Sequence, residues 1–239
     1  MSGADQTNEP ENDQTSDHDS LIIHAHYSVY IFVIVTLACF AASYAVSVPA
    51  NLLERDYFVV SAAFGLDPAR AIAAFLLPIA SAMMWSILIS KSLSMRSYPE
   101  VKRSKLRRMW FAILGGVSAV AMIGVSAVSV MSDAKGVHSF CAFLMFSCML
   151  TASLIITIED YYVKGWSRLL VMHVVCLVCA VLGLVMMIIG FCVQYYTGIW
   201  QFGTVSSSSE IVMILAEIAY VSTFAIELSS YKIIVRLGT

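Results

Sequence analysis

Six apolar runs, each about 20 residues long, constrain what this 239-residue chain can fold into. The hydrocarbon core of a bilayer is about 30 Å thick, and roughly 20 helical residues rising 1.5 Å each will cross it. No water reaches backbone amides in that layer, so such runs fold as helices that satisfy their own hydrogen bonds. Composition agrees. The chain is 59% hydrophobic and 13% charged, against roughly 25% charged in an ordinary globular protein, and its mean hydropathy is +0.82. The expected fold is an all-α polytopic membrane protein, a six-helix bundle with spans near 27–48, 71–90, 109–131, 139–158, 169–194 and 210–231.

Orientation comes from charge. The stretch KSLSMRSYPEVKRSKLRR holds Lys91, Arg96, Lys102, Arg103, Lys105, Arg107 and Arg108, half of the fourteen basic residues, against the single acid Glu100. Basic flanks of membrane helices stay on the cytoplasmic side. Alternation then gathers Lys164, Arg168, Lys232 and Arg236 on that side and leaves Arg55, Arg70 and Lys135 outside. Both termini are expected in the cytoplasm. A basic patch for nucleic acid is the competing reading, and the apolar runs on either side of the stretch exclude it.

Residues 1 to 20 are polar and acidic and contain no Lys or Arg. They are expected to form a disordered cytoplasmic tail, followed by a single membrane domain over 21–239. The six cysteines fall inside apolar runs and read as small packing residues. Cys176 and Cys179 share a helix face without further ligands, so neither a metal nor a cofactor is expected. Span three, with Gly115, Gly116, Ser118, Gly124, Ser126 and Ser129, is expected at the centre of the bundle, because small residues let helices approach closely in lipid. Pro78 is expected to kink span two.

A few polar residues stand out. Asp67 and Pro68 precede span two, where Asp67 is placed near the N-cap and Pro68 in the first turn. Arg70 lies one turn on, within reach of Asp67 or a lipid headgroup. Glu159 and Asp160 are assigned to the second cytoplasmic loop, and residues Tyr195 to Ser209 to an aromatic exterior loop. Span six carries Glu217 and Glu227, with Glu210 at its mouth. A carboxylate at mid-membrane costs about 2.5–3.5 kcal/mol on insertion scales, so it should face protein, water or a partner. Glu227 is expected to be served by Lys232 or by the interface. His138 opens span four on the side from which Glu217 is reached. This acid and histidine are the candidate catalytic pair, suited to acid–base work on an ester or to binding a headgroup. A zinc site lacks ligand spacing, and no nucleophile elbow, P-loop or dinucleotide fingerprint is present.

The order of these elements resembles the Frag/DRAM/Sfk family, which includes the N-terminal domain of Cwh-type proteins and the post-GPI-attachment factor. The resemblance rests on Ser61, Gly65, Pro68 and Arg70 before span two, on Ser132-Asp-Ala-Lys-Gly-Val-His138, and on Ala216-Glu217 with Thr223, Phe224 and Glu227. It covers residues 27 to 236. Ile218 departs from the pattern, in which an aromatic often follows the acid. The resemblance implies a role in lipid handling in Golgi, ER, lysosomal or plasma membrane, with GPI or phosphoinositide headgroups as partners. The substrate-binding candidates beside His138 and Glu217 are Ser61, Asp67, Pro68, Arg70 and Glu227. Its branches divide between GPI-anchor remodelling and a regulatory role in membrane lipid organisation and autophagy.

Overall fold

The computed structural model describes residues 20–47, 64, 67–95, 105–128, 134–199 and 201–236. Six helices run α1 His26–Ser47, α2 Ala69–Ser94, α3 Lys105–Ala127, α4 Lys135–Lys164, α5 Arg168–Thr197 and α6 Gln201–Glu227. Each contains a segment long and apolar enough to cross a membrane. Each helix packs against the next in sequence, and α6 returns against α1, so the six close into a ring. The tightest pairing is α5 with α6 and the sparsest sequential one is α4 with α5. Large side chains such as Phe75, Val120, Phe140 and Phe191 point outward and are exposed. Such a surface suits acyl chains and would be costly in water.

A short strand, β1 (Ser20–His24), pairs antiparallel with β2 (Lys232–Arg236), placing Ser20 opposite Arg236. This ribbon joins the two ends of the described chain on one side of the ring, here called the terminal end; the other is the distal end. The ribbon is an addition to the all-helical expectation, and it fits an even number of crossings.

Packing depends on close approach. A Cβ on Gly190 of α5 would lie 2.8 Å from the Phe202 carbonyl oxygen and 2.9 Å from the Ser206 nitrogen, both backbone atoms of α6. In α3, a Cβ on Gly124 would meet the Cys141 sulfur of α4 at 2.6 Å. The small residues of α3 thus serve its two neighbours, and α3 takes a place in the ring between α2 and α4 instead of the expected centre. Its spanning segment is 33% buried against 44% for α4.

Two helices are longer than their hydropathy suggests. α6 begins at Gln201 and absorbs much of the expected exterior loop. Its serine-rich start remains helical because the hydroxyls find carbonyls: Ser207 donates to Gly203 at 2.8 Å and Ser206 to Met187 of α5 at 3.0 Å. α4 runs on to Lys164, so Glu159 and Asp160 are buried helical residues and not loop residues. The turn after α4 contains Gly165 at φ 65°, and Ser167 caps α5 by accepting from the Leu170 nitrogen at 3.1 Å. α2 continues through Pro78.

Candidate functional site

A partly open cavity of about 70 Å³ runs between the helices from the distal side to the middle of the ring. α1 contributes Phe32, Thr36 and Phe40; α2 contributes Leu77 and Met84; α3 contributes Met122 and Val125. α4 supplies His138 and four apolar residues from Ala142 to Met149, and α6 supplies Glu210, Ile214, Glu217 and Ile218. The surface is overwhelmingly apolar, and its polar atoms come from four side chains.

His138 is buried in the first turn of α4. Its Nδ1 lies 2.6 Å from the carbonyl oxygen of Val128. A carbonyl only accepts, so Nδ1 carries the proton and donates. In the neutral ring Nε2 then holds a lone pair, and Nε2 has no hydrogen-bond partner among the described residues. Glu217 Oε1 and Thr36 Oγ1 are also buried without a partner. Leaving a buried polar atom unpaired costs about 1–3 kcal/mol, so three beside one cavity call for an explanation. Glu210 is buried in the third turn of α6.

The structure brings His138 and Glu217 to one cavity. Because α6 starts at Gln201 and not near residue 210, Glu217 lies about 24 Å along the helix at 1.5 Å per residue. Asp67, Pro68 and Arg70 do not line the cavity. All three are exposed at the start of α2. Pro68 itself takes the N-cap position, with no side-chain capping bond. Phe64, from the same segment, is the residue that reaches inward, stacked on Phe40 at 5.6 Å between ring centroids. Ser61 lies outside the described residues. Thr36 was hidden from sequence reasoning, being one hydroxyl inside an apolar run.

Glu227 belongs to a different site. It ends α6 at the terminal end, and its partners are Lys91 and Lys164, in place of the expected Lys232. Lys91, counted above with the basic stretch, is 2% exposed inside the last turn of α2. Its ammonium donates to both Asp160 oxygens, at 3.1 and 3.0 Å, and to Glu227. Lys164 donates to Glu227 at 2.9 Å and lies 3.3 Å from Asp160. His173 of α5 completes the group. Thr223 spends its hydroxyl proton on the Tyr220 carbonyl at 2.6 Å, so it accepts from His173 Nε2, also at 2.6 Å. The ring's Nδ1 faces Asp160 at 3.6 Å.

Asp160, His173 and Glu227 offer atoms within 4.8 Å of one another, a spacing a metal could use. The two ammonium groups already balance the two carboxylates there. The cluster therefore acts as an ionic clasp joining α2, α4, α5 and α6. Cys176 and Cys179, on the same helix as His173, are free thiols.

No curated protein and no solved structure matches this chain. A family model described as the Frag1/DRAM/Sfk1/Cwh43P N-terminal domain matches residues 24–231, which takes in all six helices and both polar sites. The chain therefore belongs to the Frag1/DRAM/Sfk1/Cwh43P family of membrane domains.

Proposed function

We propose that this protein binds a membrane lipid through the distal cavity and assists GPI-anchor or phospholipid remodelling on the lumenal or exterior face. The observation that carries the reading is the joint presence of His138 Nε2 and Glu217 Oε1, both buried and unpartnered, in a cavity otherwise lined by hydrocarbon. A lone pair and a carboxyl group on one apolar surface can bind a lipid's polar portion or move a proton at it. Family membership supports a multi-pass membrane protein. The concentration of basic residues towards the terminal end supports placing that end, with both termini, in the cytoplasm. Golgi or ER is the compartment we propose, with lysosome or plasma membrane as the alternatives.

A second reading makes the protein a non-enzymatic regulator or scaffold of lysosomal or plasma-membrane lipid organisation. The apolar lining favours it, since such a surface holds a lipid as readily as it prepares one for reaction. One experiment separates the two. Cells carrying His138→Ala or Glu217→Gln are compared with wild type for abundance, targeting and the lipid composition of GPI-anchored proteins and bulk phospholipid. Altered lipid composition at normal abundance and targeting supports remodelling. Unaltered lipid with reduced abundance or mislocalisation supports the scaffold.

A further inference from the structure

The corner between β1 and α1 places two imidazoles side by side. His24 ends the strand and His26 begins the helix. Ala25 between them is 1% exposed and donates its backbone N–H to the Tyr231 carbonyl at 3.2 Å. On a continuous helix, residues two apart do not face each other. Here the change from strand to helix brings the rings together, with centroids 5.5 Å apart and planes at 58°. Tyr27 packs on both rings, at 5.7 and 4.5 Å, and Tyr30 on His26 at 5.6 Å. Both tyrosines are half exposed, so the group stands at the surface of the terminal end.

Each imidazole leaves its Nδ1 buried and without a hydrogen-bond partner, so the two nitrogens do not satisfy each other. A buried polar atom left unpaired costs about 1–3 kcal/mol, and two on neighbouring rings call for a shared partner. The spacing identifies its kind. A zinc ion sits about 2.0–2.1 Å from a ligating imidazole nitrogen, hence roughly 3.2 Å from the ring centre, and two rings meeting it at the tetrahedral angle have centres about 5.2 Å apart. The observed separation of 5.5 Å is close to that value.

We propose that His24 and His26 form a metal site for a zinc or copper ion, bound through the two Nδ1 atoms. Imidazole nitrogens suit zinc and copper, whereas magnesium and calcium take oxygen ligands. Both rings bind in the neutral form, with the remaining proton on Nε2. Two protein ligands leave the other positions of the ion to water, so the site is open and exchangeable. Lys232, opposite His24 in the ribbon, is exposed and can keep its ammonium in water. The ion would tie β1 to the start of α1, and through β2 it would steady the other end of the chain. This site is separate from the cavity and does not depend on the lipid-binding reading.

The test uses the full-length chain without a polyhistidine tag, purified in detergent and stripped with EDTA. Zinc, copper(II) and magnesium are titrated by calorimetry, and the melting temperature is followed alongside. Zinc and copper should bind one ion per chain and raise the melting temperature, and magnesium should do neither. His24→Ala and His26→Ala should each weaken zinc at least about tenfold, since even an outer-shell partner is worth about 10–100-fold in metal affinity. Joint replacement of the free thiols, Cys176→Ser with Cys179→Ser, should leave zinc binding unchanged. Electron paramagnetic resonance of the copper-loaded wild-type protein should show coupling to two imidazole nitrogens, and this reading decides should a histidine variant melt early without metal. Three results would each overturn the site: no binding of zinc or copper, zinc binding unchanged in both histidine variants, or a copper centre with fewer than two imidazoles.

Discussion

Lys91 is the residue on which the terminal end turns. Two carboxylates converge on its ammonium, and the whole side chain is shielded. Removing one partner of a buried ion pair leaves the others uncompensated, at roughly 3–5 kcal/mol. Lys91→Met should therefore destabilise the protein by about that amount, read as a lower midpoint in detergent-titrated unfolding. Adding Asp160→Asn and Glu227→Gln to Lys91→Met should recover part of the loss, because the orphaned charges go with them. Recovery below the single variant would mean the cluster is not held by charge. The sequence shows Lys91 as the first residue of a basic loop, since it directly follows an apolar run. Only the full length of α2 places it inside the helix. Glu227 was legible as a membrane carboxylate, but its partners come from α2 and α4, and no local pattern announces a pairing over 136 residues. His138 and Glu217 could be picked out because a charged or titratable group in an apolar run is costly unless it has a purpose.

At the scale of the element, the α5–α6 pair depends on bare backbone contact. Gly190→Val would place branched carbon against the α6 backbone and should cause large losses of folded protein in fluorescence-detected size exclusion. Gly136→Ala, where nothing lies within 4 Å, should behave as wild type. Equal yields from the two would contradict the close packing described. The helices themselves were readable because length and hydropathy alone set a crossing segment. The start of α6 was not. Serines lower hydropathy as loop residues do, and only the carbonyls that receive their hydroxyls, one of them on α5, show that the helix continues. Asp67 and Arg70 illustrate the converse: a local pattern suited to a cap and a headgroup contact lies exposed, away from the cavity.

The whole molecule is a ring with the ionic clasp at its terminal end and the cavity reaching from the distal side to mid-helix. Six crossings and the shared side of the two ends followed from span counting; the ring order and the ribbon did not, since neighbours in lipid are chosen by shape. Charge sidedness predicts which end faces the cytoplasm. A single cysteine introduced at Gly136 should be labelled by an impermeant maleimide from the lumenal or exterior side, and one introduced at Tyr98 only after permeabilisation. The reverse labelling pattern would invert the proposed orientation.

The β1–β2 ribbon carries a consequence for connectivity. Because Ser20 and Arg236 are paired neighbours, a short peptide could splice them, and new ends could be cut at Gly165, where α4 and α5 meet most sparsely. A gene rearranged in that order would begin with α5, finish with α4, and keep both ends on their original side of the bilayer. If such a permutant assembles and melts like its parent, the starting point of this chain is arbitrary to its architecture, and cohesion belongs to the closed circuit of helices.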